Sequence, residues 1–203
     1  GAFSAHPGWM WPGQQWYTDV GKESYGQKDM AKAKRLLKES GYNGEEVVIA
    51  SNTTYVVMHN ASQVFLEQLR DLGVNARLTL TDWATQLKRR RTDGSKDGDY
   101  NFWFGGWPLV ASGPTQGHLI FSKQLNFANL SQTDPAMEAG WNALKSSKSL
   151  SQQMAAIETI QKRQYEMVYL LHLGSIGLLQ GWRSDVKGFE PFLMARFFNV
   201  WLE

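Results

Sequence analysis

The chain has 203 residues, 42% of them hydrophobic and 13% aromatic, with a formal net charge of +2. That is enough apolar material for a real core and too little net charge to argue for a nucleic-acid or membrane surface. It has no cysteine, which removes disulfides, thiolate nucleophiles and zinc–thiolate sites together, and no apolar run approaches the roughly 18 residues that span a bilayer.

The opening, "GAFSAHPGWMWPGQQWYTDVGKESYG", is rich in Gly, Pro and aromatics without a period. It reads as irregular chain wrapping a surface, lacks the basic region and apolar core of a signal peptide, and is expected to continue from a preceding part of a longer protein. Regularity begins at Asp29, a candidate N-cap. Met30, Ala33, Leu36 and Leu37 then form an apolar face, and Gly41 stands where a helix end favours a left-handed residue. "EVVIAS" (46–51) has the length of a buried strand. Val57, Ala61, Val64, Phe65, Leu69 and Leu72 recur at helical spacing up to Gly73.

"VNARLTLT" (74–81) alternates, with Val74, Ala76, Leu78 and Leu80 on one face and a wetter face opposite. Asp82 can cap a short helix through Arg91, and "YNFWFGGW" (100–107) is aromatic and strand-like. Strand, helix, strand, helix, strand in this order predicts parallel crossovers in an α/β sheet. Asp134-Pro135 then starts a helix with Met137, Trp141 and Leu144 inward. Ser149 caps a longer one with Leu150, Met154, Ile157, Ile160 and Val168 inward and Gln152, Lys162 and Arg163 outward. "YLLHLGSIGLLQGW" (169–182) reads as one or two buried strands, and "RFFNVWLE" (196–203) as a last one.

None of the chemistry-bearing patterns is complete. His6, His59, His118 and His172 are far apart in sequence without metal-ligand spacing, so no metal or other cofactor is expected. "LGSIG" (173–177) has Leu173 where a nucleophile elbow needs glycine, and no glycine-rich phosphate loop is present. Lys88, Arg89, Arg90 and Arg91 form the one basic cluster and read as a solvated helix end rather than a nucleic-acid contact. No catalytic residues are expected.

"YGQKDMAKAKRLLKESGYNGEEVVIAS", "FLEQLRDLGVNARLTLTDWATQL", "DYNFWFGGW", "QKRQYEMVYLLHL" and the terminal "FFNVWLE" occur in an order and spacing that resembles the second lobe of family 5 periplasmic solute-binding proteins, the oligopeptide, dipeptide and nickel binders of ABC importers. The resemblance implies a periplasmic-binding-protein-like α/β lobe with a mainly parallel mixed sheet flanked by helices. It implies residues 29–182 as a C-terminal solute-binding lobe, 1–28 as a segment from the preceding part, and 183–203 as a return toward the hinge and N-terminal lobe. Two lobes would close on a peptide-like or other small organic solute and dock on a membrane permease, with no bond broken. The implied partners are the N-terminal lobe and the ABC permease. Location would be periplasmic, or extracellular with a lipid anchor, and the state monomeric. A ligand-sensing domain of a regulator and a hydrolase with a non-standard site remain as alternatives.

In open α/β sheets ligands gather beyond the carboxyl ends of the strands, which makes Trp103 and Trp107, with Trp83, candidate ligand-binding residues. The uncharged loop "GGWPLVASGPTQ" (105–116) adds Val110 and Ser112. In peptide-binding members of the resembled family an Asp three positions beyond the equivalent Trp pairs with the peptide's α-amine, and a Pro follows four positions later. Here Trp107 and Pro114 keep that spacing, but Val110 takes the place of the acid. A buried ammonium without a counter-charge costs several kcal/mol, so the solute is expected to lack a free α-amine or to have it bound by the other lobe.

Overall fold

Residues 3–91, 100–106, 113–114, 134–177, 179–192 and 195–203 are described by the computed structural model. They divide into two compact units, one within residues 27–107 and the other formed mainly by residues 1–26 and 134–203.

The first unit is the expected parallel sheet with its helices. Helix α1 (Met30–Glu39) is capped by Asp29, whose carboxylate accepts from the Lys32 amide at 2.8 Å, and ends before Gly41, at φ +77°. Leu37 packs against the core, but Met30 and Leu36, expected inward, are exposed, because this basic helix lies at the periphery and buries no residue fully. Strand β2 (Val47–Asn52) follows, then α2 (Val56–Asp71). In α2 the inward stripe passes through Ser62, Phe65, Leu66 and Leu69, while Val57 and Val64, expected inward, are exposed. Ser62 can sit at the contact because its hydroxyl donates to the His59 carbonyl at 2.8 Å, which satisfies it while keeping the helix close to the sheet.

Strand β3 (Ala76–Thr81) pairs with β2 over six parallel positions from Val47↔Ala76 to Asn52↔Thr81. Helix α3 (Trp83–Arg91) leads to β4 (Phe102–Trp103), parallel to β2 on its other side, so the order is β3-β2-β4. The strand expected over 100–107 is thus reduced to two residues, extended only by backbone bonds from Asn101 and Phe104 to Val48 and Ala50. Period-two alternation sends Phe102 and Phe104 toward Phe65 of α2, with ring centroids 5.0 and 5.8 Å away, into a core of Ile49, Leu66, Val74 and Ala76. Trp103, between them, contacts a ring of α3 instead.

In the second unit Asp134 caps α4 (Pro135–Ser146) by accepting from the Ala136 and Met137 amides at 2.9 and 3.2 Å. Met137, Trp141 and Leu144 are buried as expected. Helix α5 (Leu150–Met167) packs on it closely enough that a Cβ at Gly140 would meet Ile160. Ile157 and Ile160 are buried, but Leu150 and Val168, expected inward, are exposed: the first opens the helix, and the second is its left-handed C-cap. Gln161 and Gln164 are buried instead. Gln161 donates to the Thr18 and Val20 carbonyls at 3.2 and 2.6 Å and accepts from the Trp9 amide, while Tyr165 donates to the Pro7 carbonyl at 2.8 Å. The irregular opening therefore wraps α5. Arg163, expected outward, is half-buried against Asp134.

Two short antiparallel ladders complete this unit. β1 (Phe3–Ser4) pairs with β5 (Ser175–Ile176), and β6 (Val186–Lys187) with β7 (Trp201–Leu202). The buried strands expected over 169–182 and 196–203 shrink to these pairs. Leu173, Ile176, Leu179, Phe197, Phe198 and Leu202 are exposed, since no further strand lies beside them among the described residues.

Candidate ligand-binding site

The carboxyl ends of the three parallel strands bring three loops to one edge of the sheet. After β2, Asn52 turns the chain by accepting from the Tyr55 amide at 2.8 Å, and Thr54 accepts from the Trp83 amide at 3.1 Å, tying this loop to the start of α3. After β3, Asp82 accepts from the Thr85 amide and hydroxyl at 3.0 and 2.6 Å, and these bonds hold its carboxyl below the usual carboxylate range. This cap fixes the first turn of α3 and with it Trp83. At β4, Trp103 lies against Gly105, where a Cβ would overlap the indole.

Trp83 and Trp103, 20 positions apart in the chain, meet here with ring centroids 5.8 Å apart at 45°. Tyr55 extends them, packing edge-on to Trp83 at 5.2 Å and 87°. The result is a half-exposed aromatic shelf over a buried pair of amides, Asn52 and Gln86, joined by a 2.7 Å hydrogen bond. Such a shelf offers large rigid faces at low entropic cost, suited to flat or apolar parts of a ligand. Trp107, Val110 and Ser112 lie outside the described residues. Tyr55, Asn52 and Gln86 were not singled out from the sequence. The available signal for Tyr55 was its place in the loop directly after a strand.

The other groups weighed from sequence fall elsewhere. Arg89 is not a freely solvated helix end: it donates to Thr79 Oγ1 at 3.2 Å and lies over the Tyr100 ring at 5.9 Å. His6 and His172, distant in sequence, have ring centroids 5.2 Å apart in the second unit, and His6 Nε2 lies 2.8 Å from Ser175 Oγ. Burial lowers the pKa of both rings, that of His172 to about 4, so they are neutral and poor proton acceptors near neutral pH. No group of three or more metal-ligating side chains occurs among the described residues, and no helix among them is long and apolar enough to cross a membrane.

Comparison with known proteins gives consistent results. The family model of the bacterial extracellular solute-binding proteins, family 5 middle region, matches residues 1–128. A probable peptide ABC transporter periplasmic-binding protein of Sinorhizobium fredii is 32% identical over 183 residues, covering 85% of this chain and 33% of the relative. A glutathione-binding protein of Salmonella typhimurium is 31% identical over 128 residues, covering 53% of this chain and 25% of its own length. The chain thus spans a third or less of the length of these relatives.

Among solved structures, the oligopeptide-binding protein AppA of Bacillus subtilis, in complex with a nonapeptide, aligns with a TM-score of 0.75 at 18% identity over 99% of this chain and 43% of that one. The binding protein AgaA of A. tumefaciens, in complex with agropinic acid, gives 0.76 at 20% identity over 99% and 42%. At these identities the structures speak for the fold.

Proposed function

The chain belongs to the bacterial extracellular solute-binding proteins of family 5, and from that premise we propose that it is part of the extracytoplasmic binding component of an ABC importer. It captures a peptide-like or other small organic solute between two lobes and delivers it to a membrane permease. Residues 29–182 contribute to the C-terminal lobe, residues 183–203 return toward the hinge, and the partner lobe comes from the rest of a longer, monomeric protein. Its role is binding without chemistry, in the periplasm or on the outer face of the membrane. The observation that carries this reading is the aromatic shelf of Tyr55, Trp83 and Trp103 at the carboxyl edge of a parallel sheet, where this class of sheet takes its ligands.

The solute's contact with this edge is not through a free α-amine. Residues 105–116 have no ionisable side chain, and Val110 holds the sequence position that the family resemblance assigns to an acidic counter-charge. Calorimetric titration of the longer protein with tri-alanine and N-acetyl-tri-alanine tests this. Val110→Asp should raise the preference for the free amine over the N-acetylated form about tenfold or more above that of wild type, and Trp107→Ala should weaken binding with little change in Tm. A Val110→Asp variant whose preference for the free amine equals that of wild type contradicts the reading of Val110.

A further inference from the structure

We propose that Gln86 is a positioning residue that locks the three loops at the carboxyl edge together and thereby sets Trp83 against Trp103. Gln86 is one helical turn beyond Trp83, so a single turn of α3 carries the indole to the shelf and the amide into the interior, where it is fully buried. Its Oε1 accepts from Asn52 Nδ2 at 2.7 Å, and its Nε2 donates to the Phe104 carbonyl at 2.8 Å and the Ala50 carbonyl at 3.4 Å. Asn52, also fully buried, holds the loop after β2 through the Tyr55 amide. One hydrogen-bonded path therefore runs from Tyr55 through Asn52 and Gln86 to Phe104, joining the loop after β2, helix α3 and the chain after β4 in turn.

An apolar pair at this place would cost little in stability, because the net worth of such hydrogen bonds is small. Directional bonds supply what apolar contact does not, a fixed position for each loop. The bonds of the Gln86 amide go to Asn52, Phe104 and Ala50, so it acts on a ligand through the tryptophans. Phe104 in turn precedes Gly105, whose missing side chain makes room for the Trp103 ring. The role of this lock in ligand capture rests on the reading of the shelf as the ligand-facing edge; the positioning itself does not.

The test compares Gln86→Leu with Leu66→Ala, a cavity variant in the core of the same unit, well below the melting temperature of either. The signal is the exciton coupling of the two indoles in circular dichroism, assigned by its loss in Trp83→Phe and Trp103→Phe. Gln86→Leu should lose it while Leu66→Ala keeps it. Amide exchange at residues 53–55 and 104–106 should accelerate about tenfold more than at Ile49 and Ala50 in Gln86→Leu alone. An unchanged couplet and unchanged exchange in Gln86→Leu, or equal loss in both variants, overturns the proposal. Unaltered affinity for N-acetyl-tri-alanine in Trp83→Ala and Trp103→Ala of the longer protein removes the ligand reading and leaves the positioning role standing.

Discussion

His172 shows how one side chain's surroundings become a property of the fold. Its Nε2 is buried without a hydrogen-bond partner among the described residues, and His6 is its aromatic neighbour. Burial first, and then the nearness of His6, lower its pKa to about 4 from 6.5. A folded-state value below the unfolded one means that the unfolded chain takes up the proton first as pH falls. Stability is therefore lost from about pH 6.5 downward and levels off below about pH 4. Between pH 7 and pH 5 this amounts to about 2 kcal/mol. Denaturant unfolding at the two pH values should show at least that difference in wild type, since His6 adds to it in the same direction, and a smaller one in His172→Phe; equal pH dependence in both would assign the acid sensitivity to other groups. The sequence contains both histidines, but their contact depends on β1 pairing with β5 across 169 positions between His6 and Ser175, which no local pattern reveals. The Trp83–Trp103 pair was legible as two candidates at strand ends, but not as one shelf. Gln86 was hidden because a glutamine in a polar helix looks solvated.

At the scale of elements, α4 is legible because each local signal agrees. Asp134 caps it, Pro135 occupies the first position, and Met137, Trp141 and Leu144 repeat at helical spacing. Helices α2 and α5 were legible in extent and only partly in rotation: Phe65, Leu69, Ile157 and Ile160 face inward as expected, whereas Val57, Val64, Leu150 and Val168 do not. Ser62 and Gln161 face inward where hydrophobic counting prefers valine and leucine, because each finds its hydrogen bonds inside, and Gln164 faces inward with its Nε2 donating to the Leu170 carbonyl at 3.4 Å. The terminal strands shrank to two-residue ladders because apolar runs indicate burial without saying what buries them. Asp134 also joins elements: its Oδ2 accepts from Arg163 Nε at 2.7 Å and from the Tyr169 hydroxyl at 2.8 Å. Burial alone would raise its pKa, but Arg163, Tyr169 and the capped amides outweigh that and lower it. Asp134→Ala loses the cap and leaves a half-buried guanidinium without its best partner, a cost of about 2–3 kcal/mol. Asp134→Asn, which keeps an acceptor for the amides, should cost clearly less. Equal losses in thermal unfolding would mean that the cap contributes nothing and the ion pair everything.

For the whole molecule, the two units differ in how completely each covers itself. The first closes a core between α2 and the sheet. The second buries Trp141, Ile157 and Ile160 but leaves Phe197, Phe198 and Leu202 more than 70% exposed beside a ladder of only two strands. A lone two-stranded ribbon is marginal in water, and the related proteins are about two and a half times as long as this chain. On the proposed two-lobe reading, further chain would cover that surface and a second lobe would supply the other wall for the solute. The 203-residue chain alone should therefore fold as a monomer, through the helix pair and the parallel sheet, while the β6–β7 amides stay open to exchange. In the longer protein those amides should slow by about a hundredfold or more, with the α5 amides protected in both. Solute affinity should follow the same logic, because a site gains water exclusion and contacts from both sides only when both lobes are present. The isolated chain should bind weakly or not at all. Tight binding by calorimetry, or β6–β7 protection equal in the two forms, would show that this chain is complete in itself and would remove the two-lobe argument.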